Sequence, residues 1–518
     1  MALAFGPSEY FWMAVFGLTL ISALSVGNTI KGLIGACIGL LLSAVGVAVV
    51  GGDVRFTFDQ VSMLGGIDVT SAIIGLYCVP VIIDLVATKS PHLKFEKVGG
   101  ESPLNRAFLM LLSRKWNLFK SSIIGTVIGI LPGAGGSIAG LVAYTEARRS
   151  SKEPDQFGHG APDGIVATES ANNATVGGGF IPTLVLGIPG TPPDAIILGA
   201  LLVQGIKTGP SLFTEQSGIV YTFIYGLIIA TLLMLPAGLI LGRYAYKSIA
   251  KTPKSLLVPT VAFLTIIGSY AIHSNAHDTL MMFVLGLLGW ILAKFGFSSS
   301  PIVLGLVLGK IAEQGFVQTY LIGSAQGKVF EMFFGRPIAI GIIVCCVIAL
   351  LFPLLAARKK KQVAESSETF KLPTLVVTLL MAVFGGVLLM ETKEMSLLGS
   401  VFPSYIALAL IALSLLLAIK TIVGKSSKEA RHISSLIPTN RQIFTIISLG
   451  FWTLSMPILG FAVSAFLSFI AIMFASNFEK LKAKTMSLYF LISFLIVAIF
   501  YILMKNVLLI RLPVGLLF

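Results

Sequence analysis

Long apolar runs separated by short polar stretches dominate the chain. Runs of membrane-spanning length fall at about 10–30, 31–50, 69–88, 215–241, 256–273, 277–295, 335–356, 372–390 and 400–419, and 443–505 holds two or three more. Each predicts a helix that crosses a bilayer. The run 299–315 is glycine-rich and ends in Lys310 and Glu313, so it is predicted to cross only in part. Between 442 and 479 the apolar chain is interrupted by Pro457 and Gly460, which predicts two short passes in a hairpin instead of one long helix. The pattern predicts an all-α polytopic membrane protein.

Composition agrees with that class. The 518 residues are 56% hydrophobic and 12% charged, against about 25% charged in soluble domains. The 53 glycines suit helices that approach closely in lipid. A net charge of +14 would suit nucleic acid, but the basic residues occupy short loops between apolar runs and read as the positive-inside signal instead. They cluster at 94–115, 148–152, 243–254, 358–361, 420–441 and 480–484, so even numbers of crossings are predicted between clusters. Cys37, Cys78, Cys345 and Cys346 lie in apolar runs without metal-ligand spacing and read as small buried hydrophobes. The first apolar run follows Glu9 with no basic residue before it, so no cleavable signal peptide is expected. The polar stretch 357–371 is the best linker candidate; it divides a glycine-rich module, 1–356, from a Leu/Ile-rich module of four to five helices, 372–518.

Two Pro-Gly breaks change the picture most. The first is Leu131-Pro132-Gly133-Ala134-Gly135-Gly136-Ser137, preceded by Gly125-x-x-x-Gly129; the second is Gly187-Ile188-Pro189-Gly190-Thr191. Unpaired backbone groups cost several kcal/mol in hydrocarbon, so such breaks persist only where protein or a watery cavity pairs them. Each break is predicted to end one half-helix and start another whose free N–H groups and positive dipole end attract an anion. The first new half-helix is predicted to run through Tyr144, and the second, capped by Thr191 with Asp194 in its first turn, to about Gln204. Candidate anion-binding residues are therefore Gly133, Ala134, Gly135, Gly136, Ser137, Pro189, Gly190 and Thr191. Between the breaks, Glu169, Asn172 and Asn173 fall at i, i+3 and i+4 on one helical face. They suit a water-lined cavity, where Asn172 and Asn173 would bind solute and all three a coupling cation or proton; an interhelical hydrogen-bond clamp is the plainer reading. His159 and Asp163 are expected in solvent near the basic loop.

Enzymatic readings find little support. No Lys-Ser/Thr follows Gly136 as an ATP-binding loop requires, no Gly-x-Ser-x-Gly elbow is present, and no nucleophile–base pair is apparent. His273 and His277 share a helical spacing with Asp278 nearby, but no Glu stands between the histidines, and the stretch reads as a loop between two spans.

The ordered motifs Gly-x-x-x-Gly-x-Leu-Pro132-Gly133, Phe157-Gly158-x-Gly160, Glu169-Ser-Ala-Asn172-Asn173-Ala, Leu-Gly-Ile-Pro189-Gly190 and Gly205-x-x-x-Gly209-Pro210 resemble the large membrane subunit of the tripartite tricarboxylate transporters over about 1–356. Phe402-Pro403 at a helix start and the ending Leu508-Leu-Ile-Arg-Leu512-Pro513-Val-Gly515 resemble the small membrane subunit of the same systems. The chain thus resembles a fusion of the two. That family's large subunit carries two related halves, each with both breaks. Here Pro-Gly occurs only at 132–133 and 189–190, and the start, Ala4 to Phe11, resembles a point after the first half. One half of an inverted repeat, with the N-terminal part missing, is therefore expected: the sequence is truncated, or another chain supplies that half, or the chain is a non-transporting structural remnant. The resemblance implies a multi-pass permease of the bacterial inner membrane. It implies a periplasmic solute-binding protein as partner, a carboxylate as solute, lipid but no nucleic acid as surroundings, no cofactor, and Na⁺ or H⁺ as the coupling cation.

Overall fold

The structure is a computed structural model describing residues 6–24, 29–88, 103–130, 135–151, 153–157, 159–187, 189, 191–206, 208–359, 371–423, 438–478 and 483–515. In chain order the helices are α1 Pro7–Leu24, α2 Thr29–Ser43, α3 Val69–Ala87, α4 Pro103–Ser113, α5 Lys115–Gly129, α6 Gly135–Ser150 and α7 Pro162–Leu186. Next come α8 Pro192–Val203, α9 Pro210–Glu215, α10 Ser217–Lys251, α11 Lys254–His273, α12 Ala276–Lys294 and α13 Ser299–Gln326. The remainder are α14 Val329–Phe334, α15 Pro337–Lys359, α16 Lys371–Glu391, α17 Leu397–Val423, α18 Asn440–Leu459, α19 Phe461–Ser476 and α20 Ala483–Ile502. Nine helices among the described residues are long and apolar enough to cross a membrane. The chain is an all-α polytopic membrane protein, with one minimal hairpin, β1 Gly46–Val47 paired antiparallel with β2 Val54–Arg55.

That hairpin corrects the predicted span 31–50. Apolar residues continue past Ser43, but α2 stops there, and Gly46, Gly51 and Gly52 all take positive φ in the turns that follow. The predicted partial span 299–315 is also corrected. It extends to Gln326 as α13, because its polar residue Glu313 is buried and paired: Arg55 Nη1 reaches Glu313 Oε1 at 2.8 Å, with both side chains 1% exposed. A third correction is α4, a helix where a basic loop stretch is predicted. The linker residues 360–370, the basic residues at 94–97 and 425–431, and Lys480 and Lys482 fall outside the described residues.

The helices divide into two compact units. One comprises Met1–Gly66, Val98–Phe223 and Gly296–Ser426; the other comprises Ile67–Lys97, Ile224–Phe295 and Ser427–Phe518. Within the first, α2 and α13 cross at glycine. A methyl group on Gly39 would meet Leu306 N at 2.8 Å and the Gly305 Cα at 2.9 Å. Within the second, Gly286 of α12 packs on Val79 and Gly75 of α3 in the same way.

The second unit also contains the predicted 442–479 hairpin, as α18 and α19 packed together around Gly460 at φ +77°. The ending that resembles the small subunit closes this break. Pro513 accepts from the Phe461 N–H at 2.9 Å, and Arg511 carbonyl accepts from Tyr270 Oη at 2.7 Å. Phe263 fills the core there against Trp452, Phe461 and Phe500. In the first unit, Phe402-Pro403 sits inside α17, past its predicted place at a helix start.

Gly39→Leu is expected to lower the melting temperature and the folded yield in detergent, because backbone stands where the side chain must go. Gly341→Leu, with open space around it, is expected to leave both unchanged. Glu313→Ala strands the Arg55 guanidinium and is expected to destabilise by about 3–5 kcal/mol, read as a fall in the unfolding midpoint.

Candidate functional site

The broken segments gather on α7. Helix α5 crosses it at Gly125, Gly129 and Gly178: added methyl groups would meet the Ala171 Cα at 2.7 Å and the Thr175 carbonyl at 2.5 Å. The Gly-x-x-x-Gly spacing thus does what the sequence predicts of it. Helix α6 lies on another side of α7 through a second glycine pair one turn apart, Gly136 and Gly140, which face Asn172 and Thr168. Small residues fill the seam: Ala139, Ala143, Ala167 and Ala171 are all fully buried.

At the first break, α5 ends with Ile130 donating to the Thr126 carbonyl. Residues 131–134, including Gly133 and Ala134, lie outside the described residues. Helix α6 starts at Gly135, whose φ of +62° is left-handed backbone that glycine adopts at no steric cost. The space a methyl group on Gly136 would take is filled by the Asn172 carboxamide oxygen. Ser137 falls in the first turn of α6; its side chain is outside the described residues. The helix continues to Ser150, past the predicted end at Tyr144, and carries Arg148 and Arg149 in its last turn, where cations favour the carbonyl end.

At the second break, α7 ends in a left-handed cap, Gly187 at φ +68°, with its N–H on the Pro182 and Thr183 carbonyls. The Gly205-x-x-x-Gly209 loop folds back on it: Gly209 N–H donates to the Leu184 carbonyl at 3.0 Å. Pro189 is buried, and Gly190 and Ile188 lie outside the described residues. Thr191 stands just ahead of α8, which ends at Val203, one residue before its predicted end. The Thr191 hydroxyl donates to Asp194 Oδ2 at 2.8 Å, and the Asp194 carboxylate, 3% exposed, presses on Gly179 of α7.

The two helix starts are neighbours. A methyl group on Gly135 would lie 4.0 Å from Thr191 Cγ2. Gly135, Gly136, Asn172 and Thr191 therefore converge. Helix α6 has no acidic residue in its first turn, whereas α8 has Asp194. Glu169, Asn172 and Asn173 are all exposed on α7. Asn173 turns back along its own helix, Nδ2 donating to the Glu169 carbonyl at 2.9 Å, so the three do not form one cluster of free groups.

Away from the break, charged pairs fasten the same three helices. Lys120 of α5 bonds Glu146 of α6 at 2.5 Å, and Arg149 bonds the other oxygen of Glu146 at 2.8 Å. Arg114 bonds Asp163 of α7 at 3.1 Å, and Asn117 bonds both its carboxylate and its carbonyl. Arg114, Asn117, Lys120 and Asp163 line a cleft of about 740 Å³ with Lys115 and Trp116. Asp163 is thus a fastening, not the merely solvated residue expected; His159 is exposed, as expected. In the second unit, His273 ends α11 and bonds Asp278 at 2.9 Å across the loop to α12. The Gly136–Gly140 pair and the Arg114–Asp163 tie escape a reading by motif. Only spacing four apart within the glycine-rich start of α6 signals the first, and nothing local signals the second.

Comparison with known proteins agrees with this architecture. Residues 1–304 match the tripartite tricarboxylate transporter TctA family, and residues 374–513 match the tripartite tricarboxylate transporter TctB family. An uncharacterized 52.8 kDa protein in the TAR-I ttuC' 3' region of Agrobacterium vitis is 33% identical over 373 residues, 70% of this chain and 72% of that protein. An uncharacterized protein in the TAR-II ttuC' 3' region of the same organism is 35% identical over 244 residues, 46% of this chain and 99% of its own length. No solved structure matches significantly. These families are transporters, not enzymes. With its longer match covering more than half its length, the chain belongs to the tripartite tricarboxylate transporter TctA family and carries a TctB segment fused behind it.

Proposed function

We propose that this chain is the permease of a secondary transporter that takes up carboxylates across the bacterial inner membrane, receiving them from a periplasmic binding protein and drawing on an ion gradient. The tripartite family implies the binding-protein partner. What supports the rest is one geometric fact: the starts of α6 and α8 adjoin on α7, with the Asn172 carboxamide at the first of them.

The physical argument runs from charge. The first turn of any helix leaves N–H groups without intrahelical partners and carries about half a positive charge. At α8 the Asp194 carboxylate already meets that charge, and Thr191 gives its hydroxyl proton to it. The first turn of α6 carries no acidic residue. A solute carboxylate would therefore bind at Gly135, Gly136 and Ser137, through backbone N–H groups, with the Asn172 amide as a side-chain donor. Gly133 and Ala134, just ahead in sequence, would complete the cradle. Pro189, Gly190 and Thr191 would form the opposite wall. The Glu169 carboxylate, with Asn172 and Asn173 beside it on α7, would hold the coupling cation, Na⁺ or H⁺.

Asn172→Ala is expected to cut uptake of labelled citrate into vesicles, with the binding protein added and a Na⁺ or pH gradient imposed, by about tenfold or more, the worth of one hydrogen bond to a charged group. Glu169→Gln is expected to abolish the dependence on the gradient. Both should insert at wild-type levels. Wild-type uptake by both variants would refute these roles, and absence of gradient-driven uptake of any labelled carboxylate by the unaltered protein would refute the permease reading itself. Gly136→Ala is expected to push the Asn172 carboxamide aside and to match the Asn172→Ala defect. Combining the two should add little, because one amide is lost either way; fully additive losses would mean that Gly136 acts elsewhere.

A further inference from the structure

The two family matches are contiguous in sequence but interleaved in space. In the first compact unit α17, from the TctB segment, packs with α2 of the other match; in the second, α18 to α20 do so with α3, α11 and α12. At one place the contact is polar and specific. The turn Asp53-Val54-Arg55, in and beside β2, meets the start of α17.

Ser396 caps α17: it accepts from Gly399 N–H at 3.3 Å, and its carbonyl accepts from Ser400 N–H at 2.9 Å. The same hydroxyl donates to Asp53 Oδ2 at 2.5 Å, and Ser396 N–H donates to Asp53 Oδ1 at 3.3 Å. A carboxylate thus faces the positive end of α17 from outside the helix. Gly399 lets it approach, since a methyl group there would lie 2.6 Å from the Asp53 carboxyl carbon. Two residues on, Arg55 is fixed by the buried Glu313 and donates to the Gly399 carbonyl at 3.2 Å. A planar guanidinium serves two partners in fixed directions, which lysine would not. Behind this contact Phe402, 1% exposed, packs edge-on against Phe316 at 5.9 Å between ring centroids, within the cluster that holds Leu304 and Leu308.

We propose that Asp53 and Arg55 form a clasp that recognises the first turn of α17, so that the segment 371–515 is held as a bound partner and not by its covalent link to α15. The partner such a clasp fits is an apolar helix whose cap and first turn read Ser-x-x-Gly. The second unit adds its own ties between the same two segments: Gln442 donates to Asp84 at 3.2 Å, and Tyr270 to the Arg511 carbonyl.

The test cuts the full-length protein at a protease site placed within 360–370, with a tag on each end, after purification in detergent. The two fragments are expected to co-elute on size exclusion and to co-purify on either tag. In titrations of one labelled fragment with the other, Asp53→Ala is expected to raise the dissociation constant about tenfold. Ser396→Ala should raise it less, because Ser396 N–H still donates to Asp53 Oδ1, and the double variant should raise it no more than Asp53→Ala. Separation of the unaltered fragments after cleavage would overturn the proposal, as would wild-type affinity in Asp53→Ala. If uncut Asp53→Ala elutes abnormally, Ser396→Ala, which leaves the hairpin intact, decides in its place: unchanged affinity overturns the clasp.

Discussion

Helices inside a bilayer gain nothing from hiding apolar side chains, because lipid tails are as apolar as the neighbours they would hide against. Cohesion must come from close backbone approach and from polar groups that find each other. Glycine makes the first possible. Where α2 meets α13, and again where α5 and α6 meet α7, a single added methyl group would overlap the facing chain. The rest of the architecture depends on this approach, since it brings polar backbone within reach of polar side chains in an otherwise apolar medium. The Asn172 carboxamide reaches α6 only because Gly136 offers no side chain in its way.

Helix α7 is accordingly the platform of the site. It carries small or polar residues at the levels where its neighbours cross: Thr168 and Asn172 toward α6, Ala171, Thr175 and Gly178 toward α5, and Gly179 toward the Asp194 carboxylate. A helix with this mixture would be unstable facing lipid and poorly packed in a soluble core. Its threonine hydroxyls and the Asn173 amide bond carbonyls of their own helix, while Asn172 lies against the start of α6.

The parts legible in the sequence are those with local causes. The apolar runs, the glycine spacing at 125–129, the two breaks and the hairpin at Gly460 each follow from residues within a few positions of one another. The parts that escape it depend on distant partners. Apolar residues continue to Val50, yet α2 stops at Ser43 because the following glycines turn the chain into a hairpin that docks at Ser396. Glu313 argues locally against a full span, and only Arg55, more than two hundred residues away in sequence, neutralises it. Helical spacing places Glu169, Asn172 and Asn173 on one face, but periodicity does not reveal that Asn173 bonds its own helix.

Three helix starts in the first compact unit meet their positive charge differently, and the proposed solute site rests on that difference. At α17 the Asp53 carboxylate comes from a separate hairpin; at α8 Asp194 comes from the helix's own first turn. Both ends are thereby complemented within the protein. The start of α6 has no acidic residue in its first turn, and the side chain laid against it, Asn172, is neutral. On the proposed reading, this difference is what leaves the α6 start to attract a solute carboxylate. A carboxamide oxygen can accept from those N–H groups but carries no net charge, so Asn172 does not cancel the positive end of α6 as a carboxylate would. In that proposal Asn172 borders the α6 terminus and leaves its charge to be met by a carboxylate from outside.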